Sequence, residues 1–504
     1  MPLPLVRPGV VVEPDRPALL LDGEVLTFGQ LEERVERLAR VLVARGLRPG
    51  EPVAVMLGNR FEFLEVGLAT ARVGCRLLPL NWHLKTDEVA WILADAGARL
   101  LVVEADLLPV AGTALRDVPD CTLLVVGDRA GAGPHYEEAL EGAGDTPVDP
   151  VARQGRPTPR YLFYTSGTTG RPRGVDREEL PDPTSAVSAA VADMWGLGPD
   201  DVFLVSSPLY HAAGAYAFIS LFAGSSVVVL PRFTGVACLA AVDRHRVTTG
   251  LMVPAHFIRI LEVPEADRAA FDTSSLRLLL HSAAPCPVPV KHAILAALPS
   301  AEIWEFYGAS EGGATRISPE EWQVRPGSVG RPWPGVTVTI RDDAGLELPA
   351  GQTGRIYLSA PQGRFRYHND PAKTEEAWLD DAFTLGDVGH LDADGYLFIT
   401  DRAADLVIRG GVNIYPAEIE RVLHQHPDVV DCAVLGVPDA RLGEVVVALV
   451  EVRRSVDPAD LQAWCRRHLA DFKCPARIEL VAELPRDPSG KVRKRDLRDG
   501  LTMP

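Results

Sequence analysis

From residue 18 onward, short apolar runs alternate with longer stretches whose apolar positions recur every three or four residues. The first helical repeat is Phe28, Leu31, Val35, Leu38 and Leu42. It opens behind Thr27 and Gln30, whose spacing predicts a capping box, and stops at Gly46. Residues 53–57 read as a buried strand, 61–73 as a second helix, 76–80 as a strand, 87–96 as a third helix and 100–104 as a strand. This is the βαβ rhythm of a parallel sheet. It breaks at 127–159, rich in Gly, Ala, Pro and Asp and poor in large apolar residues, where a surface excursion is expected. A helix over 185–195 and strands at 202–206, 226–230, 247–253 and 276–280 resume it. Near residue 400 the texture changes. A helix from about 416, strands at 429–436 and 445–452, a helix over 458–469 and a strand at 477–481 follow. Leu461, Trp464, Cys465, His468 and Leu469 share one face of the later helix. The boundary between the two textures is placed within 401–405.

Composition adds limits to this α/β pattern. At 504 residues the chain exceeds what one core normally serves, so at least two domains are expected. A net charge of −17 argues against a nucleic-acid-binding surface and against adhesion to anionic lipid. Residues 202–231 carry no formal charge, but Pro208, His211 and interspersed serines and glycines make them strand, loop, helix and strand rather than a membrane span. The seven cysteines show no C-x-x-C pair and no metal-ligand spacing, and read as reduced, mostly buried thiols. The opening Met-Pro-Leu-Pro-Leu-Val-Arg lacks the pattern of a signal peptide. A cytoplasmic protein, monomer or homodimer, is the expectation.

Candidate chemistry is concentrated in a few glycine-rich stretches. Tyr164-Thr-Ser-Gly-Thr-Thr-Gly-Arg-Pro-Arg173 follows an apolar run and mixes hydroxyls, glycines and arginines. Glycines let backbone N–H groups approach an anion, hydroxyls donate further hydrogen bonds and arginine supplies charge, so the segment suits phosphate. Neither the P-loop nor the dinucleotide-turn spacing is present. Ser207-Pro-Leu-Tyr-His-Ala-Ala-Gly214 sets a histidine beside small residues, and Leu280-His-Ser-Ala-Ala-Pro-Cys-Pro287 is a strand running into a small-residue turn. Phe306-Tyr-Gly-Ala-Ser-Glu-Gly312 offers a ring, a hydroxyl and a carboxylate, the last useful beside phosphate only with a cation such as Mg²⁺ between them. Thr384-Leu-Gly-Asp-Val-Gly-His-Leu-Asp-Ala-Asp-Gly-Tyr396 is acidic but fails the EF-hand spacing. Arg409-Gly-Gly-Val-Asn-Ile-Tyr-Pro and the basic turn Pro485-Arg-Asp-Pro-Ser-Gly-Lys491 complete the set.

In this order, from about residue 20 to 495, the motifs resemble those of the adenylate-forming superfamily of acyl-CoA synthetases, luciferases and peptide-synthetase adenylation domains. The run through Lys291 is most similar to actinobacterial fatty acyl-CoA synthetase-like proteins. The resemblance implies a large multi-sheet N-terminal α/β domain (1–400), a hinge (401–405) and a smaller mobile α+β domain (406–504), with the site at their interface. It implies that Thr165, Ser166, Gly167, Thr168, Thr169, Gly170 and Arg173 hold the ATP phosphates, and that Ala283, Ala284, Tyr307 and Gly308 line the adenine. Ser310 keeps a hydroxyl where threonine is usual, Glu311 holds Mg²⁺, and Asp387 with Arg402 takes the ribose. Gly410 and Gly411 leave room for the pantetheine arm of CoA, and Lys491 is the catalytic lysine. His211 stands at the carboxylate end of an acyl pocket walled by Tyr210, Ala212, Gly214, Met252, Ser282 and Phe306. Two further positions depart from the pattern: Arg173 replaces the usual lysine, and Ala404 fills the pivot that is often Asp or Lys.

The implied activity is ATP-dependent acyl- or aryl-CoA ligation of a small carboxylic acid. A second reading keeps adenylation but changes the acceptor to a carrier-protein thiol or an amine, or replaces the carboxylate with nitrite, as in diazotisation of an aromatic amine. A third is a catalytically silent nucleotide-binding protein, which Arg173 and Ala404 make conceivable and Glu311, Asp387 and Lys491 oppose.

Overall fold

The structure is a computed structural model that describes residues 5–127, 133–144, 158–165, 172–177, 183–359, 363–402, 405–409, 412–439, 442–486 and 492–501. It is an α/β fold of several sheets that divides into two compact units. One comprises Met1–Leu251, Glu265–Leu278 and Gln362–Glu376; the other comprises Met252–Pro264, Leu279–Pro361 and Ala377–Pro504.

The first unit contains the alternation read from the sequence. Strands Thr122–Val126, Leu100–Glu104, Pro52–Met56, Arg76–Pro79 and Arg160–Tyr161 form a parallel sheet in that order. Every residue of Pro52–Met56 is buried, as expected of a parallel strand covered on both faces. Helix Phe28–Ala44 starts at the capping box. Gln30 N–H donates to Thr27 Oγ1 (3.2 Å) and Thr27 N–H donates to Gln30 Oε1 (2.9 Å), while Phe28, Leu31, Val35, Leu38 and Leu42 are buried. Helix Phe61–Val73 crosses helix Ala212–Phe222 so closely that a Cβ on Gly67 would stand 2.1 Å from Phe218 Cζ. In a second sheet of this unit Val202–Val205 pairs in parallel with Ser226–Val229 and with residues 249–251. The uncharged 202–231 stretch is thus strand, eleven-residue helix and strand. Among the described residues no helix is long and apolar enough to cross a membrane.

One correction concerns the 127–159 excursion. Its helix Tyr136–Glu141 is anchored, because Tyr136 is 1% exposed and donates a 2.7 Å hydrogen bond to the buried Glu65, which also pairs with Arg34 at 2.7 Å.

The second unit contains two antiparallel-rich sheets. In one, Gly354–Ser359 pairs with Val338–Arg341, Ala382–Phe383 and Asp387–Leu391, and the last pairs with Leu397–Arg402. In the other, the long hairpin Val429–Asp439 and Gly443–Val452 is joined by Val407–Arg409 and, in parallel, by Arg477–Val481. One face packs Val434, Val446 and Ala448 against Ile419 and Leu423 of helix Pro416–His424 and Leu461 and Cys465 of helix Pro458–His468. The other face packs Leu435 and Val447 against Leu484 and Leu497. His468 does not join the buried face; it is exposed, its Nδ1 2.9 Å from Trp464 O one turn back. All seven cysteines are free thiols, six of them buried and Cys286 half-buried.

Candidate nucleotide and acyl site residues

In the first unit, the phosphate-type segment is a β-hairpin. Strand Phe163–Thr165 pairs with Arg173–Arg177 so that Thr165 faces Arg173 and Tyr164 faces Gly174. The tip, with Ser166, Gly167, Thr168, Thr169 and Gly170, lies outside the described residues. Its base is held firmly. Tyr164 Oη donates to Asp95 Oδ2 at 2.5 Å, and Asn369 Nδ2 donates to Asp95 O and Oδ1 at 3.0 and 3.1 Å. Burial and that acidic neighbour push the Tyr164 phenol well above its ordinary range, so it stays a hydrogen-bond donor. Gly174 has no room for a side chain, since a Cβ would lie 2.8 Å from His368 Cβ and 3.0 Å from the Tyr164 ring. Arg173 leans toward Asp370, Nε to Oδ2 3.9 Å, with its guanidinium 6.0 Å from the Tyr367 ring centroid. It is therefore placed at the hairpin base, beside the residue from which the tip departs.

The second motif of this unit folds as a tight turn into helix Ala212–Phe222. His211 is the N-cap residue and is half-buried, Tyr210 is buried with its ring centroid 4.6 Å from the imidazole, and Ala212 is exposed. Gly214 is buried for a backbone reason: a Cβ there would sit 2.0 Å from Leu209 O. Asn59, which sequence reasoning missed, organises the turn. Its Oδ1 accepts from Leu209 N (2.9 Å), and its Nδ2 donates to Ser207 O (3.1 Å) and Leu230 O (2.9 Å). The available signal was a polar residue just past the carboxyl end of strand Pro52–Met56, where open α/β sheets place their functional loops.

The second unit carries the residues that the resemblance assigns to purine, ribose and metal. Strand Leu278–His281 ends in half-buried Ser282, exposed Ala283 and half-buried Ala284, and Ala283 holds a left-handed backbone at φ 76°. Strand Glu302–Ala309 turns back as Gly312–Ile317, with Ala309 opposite Gly312, so Ser310 and Glu311 form the two-residue tip of a hairpin. Tyr307 and Gly308 are half-buried on the first arm, and Phe306 is half-buried with its ring 6.2 Å from that of Trp333. Tyr307 Oη donates to Asp387 Oδ2 at 2.6 Å. Asp387 is 4% exposed and pairs in register with Arg402 across the adjoining strands. Tyr307, Asp387 and the Arg402 position are thus brought together. Met252, 1% exposed, is the last residue of strand Thr249–Met252.

No group of three or more His, Cys, Asp or Glu among the described residues could hold a metal ion. The half-buried Glu311 therefore fits Mg²⁺ only in the way that ion is commonly held, by one carboxylate together with substrate phosphate oxygens and water.

Gly410, Gly411, Ala404 and Lys491 lie outside the described residues, but their surroundings are defined. On either side of the two glycines, Arg409 faces Val412 across antiparallel strands. Of the residues flanking Lys491, Arg486 forms a β-bridge with Val492 and Arg493 N–H donates to Pro485 O at 2.8 Å. An ion pair clamps each flank: Arg486 to Asp431, and Lys494 to Glu420 at 2.8 Å. Glu420 also accepts from Val434 N at 2.8 Å, fixing it to the sheet.

Comparison with known proteins gives a consistent picture. The family model for AMP-binding enzymes matches residues 9–367, and that for the AMP-binding enzyme C-terminal domain matches 418–491. The chain is 36% identical over 505 residues to a fatty acid–[acyl-carrier-protein] ligase of Streptomyces coeruleorubidus, covering 97% of this chain and 94% of that protein. It is 34% identical to an indoleacetate–CoA ligase of Aromatoleum aromaticum, covering 97% and 95%. Among solved structures, the amide bond synthetase McbA of Marinactinospora thermotolerans superimposes with a TM-score of 0.85 at 31% identity, over 96% of this chain and 97% of that one. Matched over most of its length by the first model and over its C-terminal part by the second, this chain belongs to the AMP-binding enzyme family, the AMP-forming ligases of the adenylate-forming superfamily.

Proposed function

We propose that the chain is an ATP-dependent acyl- or aryl-CoA ligase that adenylates a carboxylic acid, releases pyrophosphate and passes the acyl group to the thiol of CoA. The observation that carries this reading is the Tyr307–Asp387 hydrogen bond, made from the hairpin whose tip is Ser310–Glu311. The Tyr307 ring and the half-buried Glu311 stand on that hairpin, and the buried Asp387 of strand Asp387–Leu391 is hydrogen-bonded to the ring's hydroxyl, groups suited in turn to a purine, a cation beside phosphate and a ribose diol.

A carboxylate is a poor electrophile, and in-line attack of its oxygen on the ATP α-phosphorus turns it into a mixed anhydride. In this reading Thr165, the hydroxyl tip and Arg173 hold the β- and γ-phosphates. Ala283, Ala284, Tyr307 and Gly308 face the adenine, and Asp387 with Arg402 takes the ribose hydroxyls. Mg²⁺ held by Glu311 and phosphate oxygens would neutralise charge on the triphosphate. In the same reading His211 stands at the carboxylate end of an acyl pocket, with Tyr210, Ala212, Met252, Ser282 and Phe306 assigned to it. Lys491 places its ammonium where negative charge builds between carboxylate and α-phosphate. Residues 401–405 are the hinge about which 406–504 turn, withdrawing Lys491 and bringing Gly410 and Gly411 toward the thiol. The ligase relatives support the adenylation and transfer chemistry as a class.

Lys491→Ala tests the reading. Carboxylate-dependent pyrophosphate exchange should fall by about a hundredfold or more, the scale of losing one transition-state charge partner. Thioester formation from a supplied acyl-adenylate should persist. Exchange at the wild-type rate would sink the assignment.

A second reading keeps adenylation and changes the acceptor to a carrier-protein thiol or an amine; a carrier-protein ligase relative and an amide bond synthetase neighbour favour keeping it open. Mass spectrometry of products formed from ATP and one acid with CoA, a phosphopantetheinyl carrier protein or an amine separates the two.

A further inference from the structure

Strand Leu278–His281, helix Val288–Ala297 and strand Glu302–Ala309 meet at a cluster of ionisable side chains removed from solvent. His281 and Lys291 are each 0% exposed, and Glu305 is 5% exposed. Lys291 Nζ hydrogen-bonds His281 Nε2 and lies 3.5 Å from Glu305 Oε2, which is itself 3.4 Å from His281 Nε2. Phe257 packs edge-on against His281 at 5.1 Å, and the Trp322 ring lies 5.6 Å from the Lys291 ammonium. Burial, reinforced by the Lys291 charge, holds His281 well below the ordinary imidazole range. The imidazole is therefore neutral, its Nε2 accepts from the ammonium and its remaining proton sits on Nδ1. Burial also lowers Lys291 and raises Glu305, and each opposes the other's shift.

A buried ion pair is weak evidence of stability, because desolvation offsets much of the attraction; its best-attested use is to specify one arrangement. Here that arrangement follows from chain order. His281 and Lys291 bracket the 282–287 turn, whose Ala283 holds a left-handed backbone that a non-glycine keeps only where its surroundings impose it. Glu305 stands two residues before Tyr307 on a regularly paired part of its strand, Glu305 opposite Ile317 and Tyr307 opposite Thr315, so the two side chains share a face.

We propose that the His281–Lys291–Glu305 cluster is the positioning element of the purine side of the nucleotide site. It ties both ends of the 282–287 turn to the strand that presents Tyr307. The inference rests on the reading of Ala283, Ala284 and Tyr307 as purine contacts. The three buried groups act through those residues and touch no nucleotide themselves.

The test uses the full chain, with Glu305→Gln and the charge-neutral double variant Lys291→Met/Glu305→Gln, which removes the pair without stranding one charge. Binding of α,β-methylene-ATP and of the corresponding guanosine analogue is measured by calorimetry, KM for ATP and for CoA by pyrophosphate release and thioester formation, and folding by thermal unfolding. The double variant should keep its melting temperature within a few degrees. Its Kd for the ATP analogue and its KM for ATP should rise about tenfold or more, the loss of one to two directed hydrogen bonds. Its preference for adenosine over guanosine should shrink, while KM for CoA changes less than about twofold. A folded double variant with unchanged analogue affinity and unchanged base preference overturns the proposal alone. If the double variant does not fold, Glu305→Gln carries the same comparison with the same overturning result. Wild-type protein without saturable binding of the ATP analogue overturns the nucleotide-site reading, and the proposal with it.

Discussion

Gly214→Ala separates two accounts of one position. As a wall of the acyl pocket, an added methyl group would shorten the space available to the acid and leave folding alone. The geometry argues otherwise. The new Cβ would lie 2.0 Å from Leu209 O and 3.1 Å from Leu209 C, both backbone atoms, so about 1.4 Å of movement is needed to reach the 3.4 Å of ordinary contact. The turn cannot yield cheaply, because Asn59 holds Leu209 N–H, Ser207 O and Leu230 O at once. Overpacking of this kind costs about 1–3 kcal/mol, and alanine's better helix propensity offsets at most about 1 kcal/mol of it. At about 2–4 °C per kcal/mol for a cooperative unit of 150–250 residues, the melting temperature should fall by a few degrees. Since the displaced turn leads into His211, KM for the acid should rise for small and large acids alike, with KM for ATP nearly constant. Calorimetry of unfolding and acid titrations in the pyrophosphate assay read both effects. An unchanged melting temperature together with a selective loss of larger acids would refute the backbone argument and restore the wall.

Two further outcomes follow from the charged groups. Arg173→Lys should retain most pyrophosphate-forming turnover, because lysine also supplies a cation at the hairpin base, whereas Arg173→Ala should lower it by about tenfold or more; an alanine variant as active as wild type would remove Arg173 from the triphosphate grip. The second concerns pH. Burial pushes His424 down to about 4, with Arg486 adding to the lowering and Glu420 opposing it, and Asp431 Oδ1 lies 3.4 Å from its Nε2. The folded value lies below the unfolded value of about 6.5, so the stability tied to the neutral ring is complete above about pH 6.5 and is lost as pH falls through 4. His424→Gln should therefore flatten the fall in urea midpoint between pH 6.5 and 4.5; parallel profiles for variant and wild type would contradict the sign.

The elements that the sequence predicted best are those whose signals are local. Helix Phe28–Ala44 has both a 3.6-residue apolar period and a capping box, and strand Leu100–Glu104 opens with four consecutive apolar residues; both form where expected. Helix Tyr136–Glu141 was missed because its anchor is not local. Tyr136 is drawn inward by Glu65, which is itself compensated by Arg34, and neither partner is visible in the composition of 127–159. His468 fits the helical stripe yet stays exposed, since its Nδ1 meets Trp464 O on the same helix rather than a partner in the core.

The same division runs through the candidate site. Motif residues are readable because one chemistry demands a few residue types at close spacing, as at Tyr307, Ser310 and Glu311. Glycine-rich segments, however, have little conformational preference of their own, so something outside them must offset the entropy lost in holding one shape. In this structure that role falls to dispersed polar side chains with several bonds each. Asp95 serves Tyr164 and Asn369 at the base of the phosphate-type hairpin, Asn59 serves the turn before His211, and Glu305 serves the ends of the 282–287 turn. Asp95 lies 69 positions from Tyr164 and 274 from Asn369, and Asn59 lies 150 from Leu209. Pattern reading along the chain cannot connect such positions, since Asp95 near the end of helix Thr86–Ala96, Asn59 past the end of strand Pro52–Met56 and Glu305 within strand Glu302–Ala309 are each individually ordinary polar residues. Their effect on activity should accordingly appear as a change in which substrate's KM moves, because each holds a different turn, whereas replacing Lys491, the proposed catalytic lysine, should lower the rate of the chemical step.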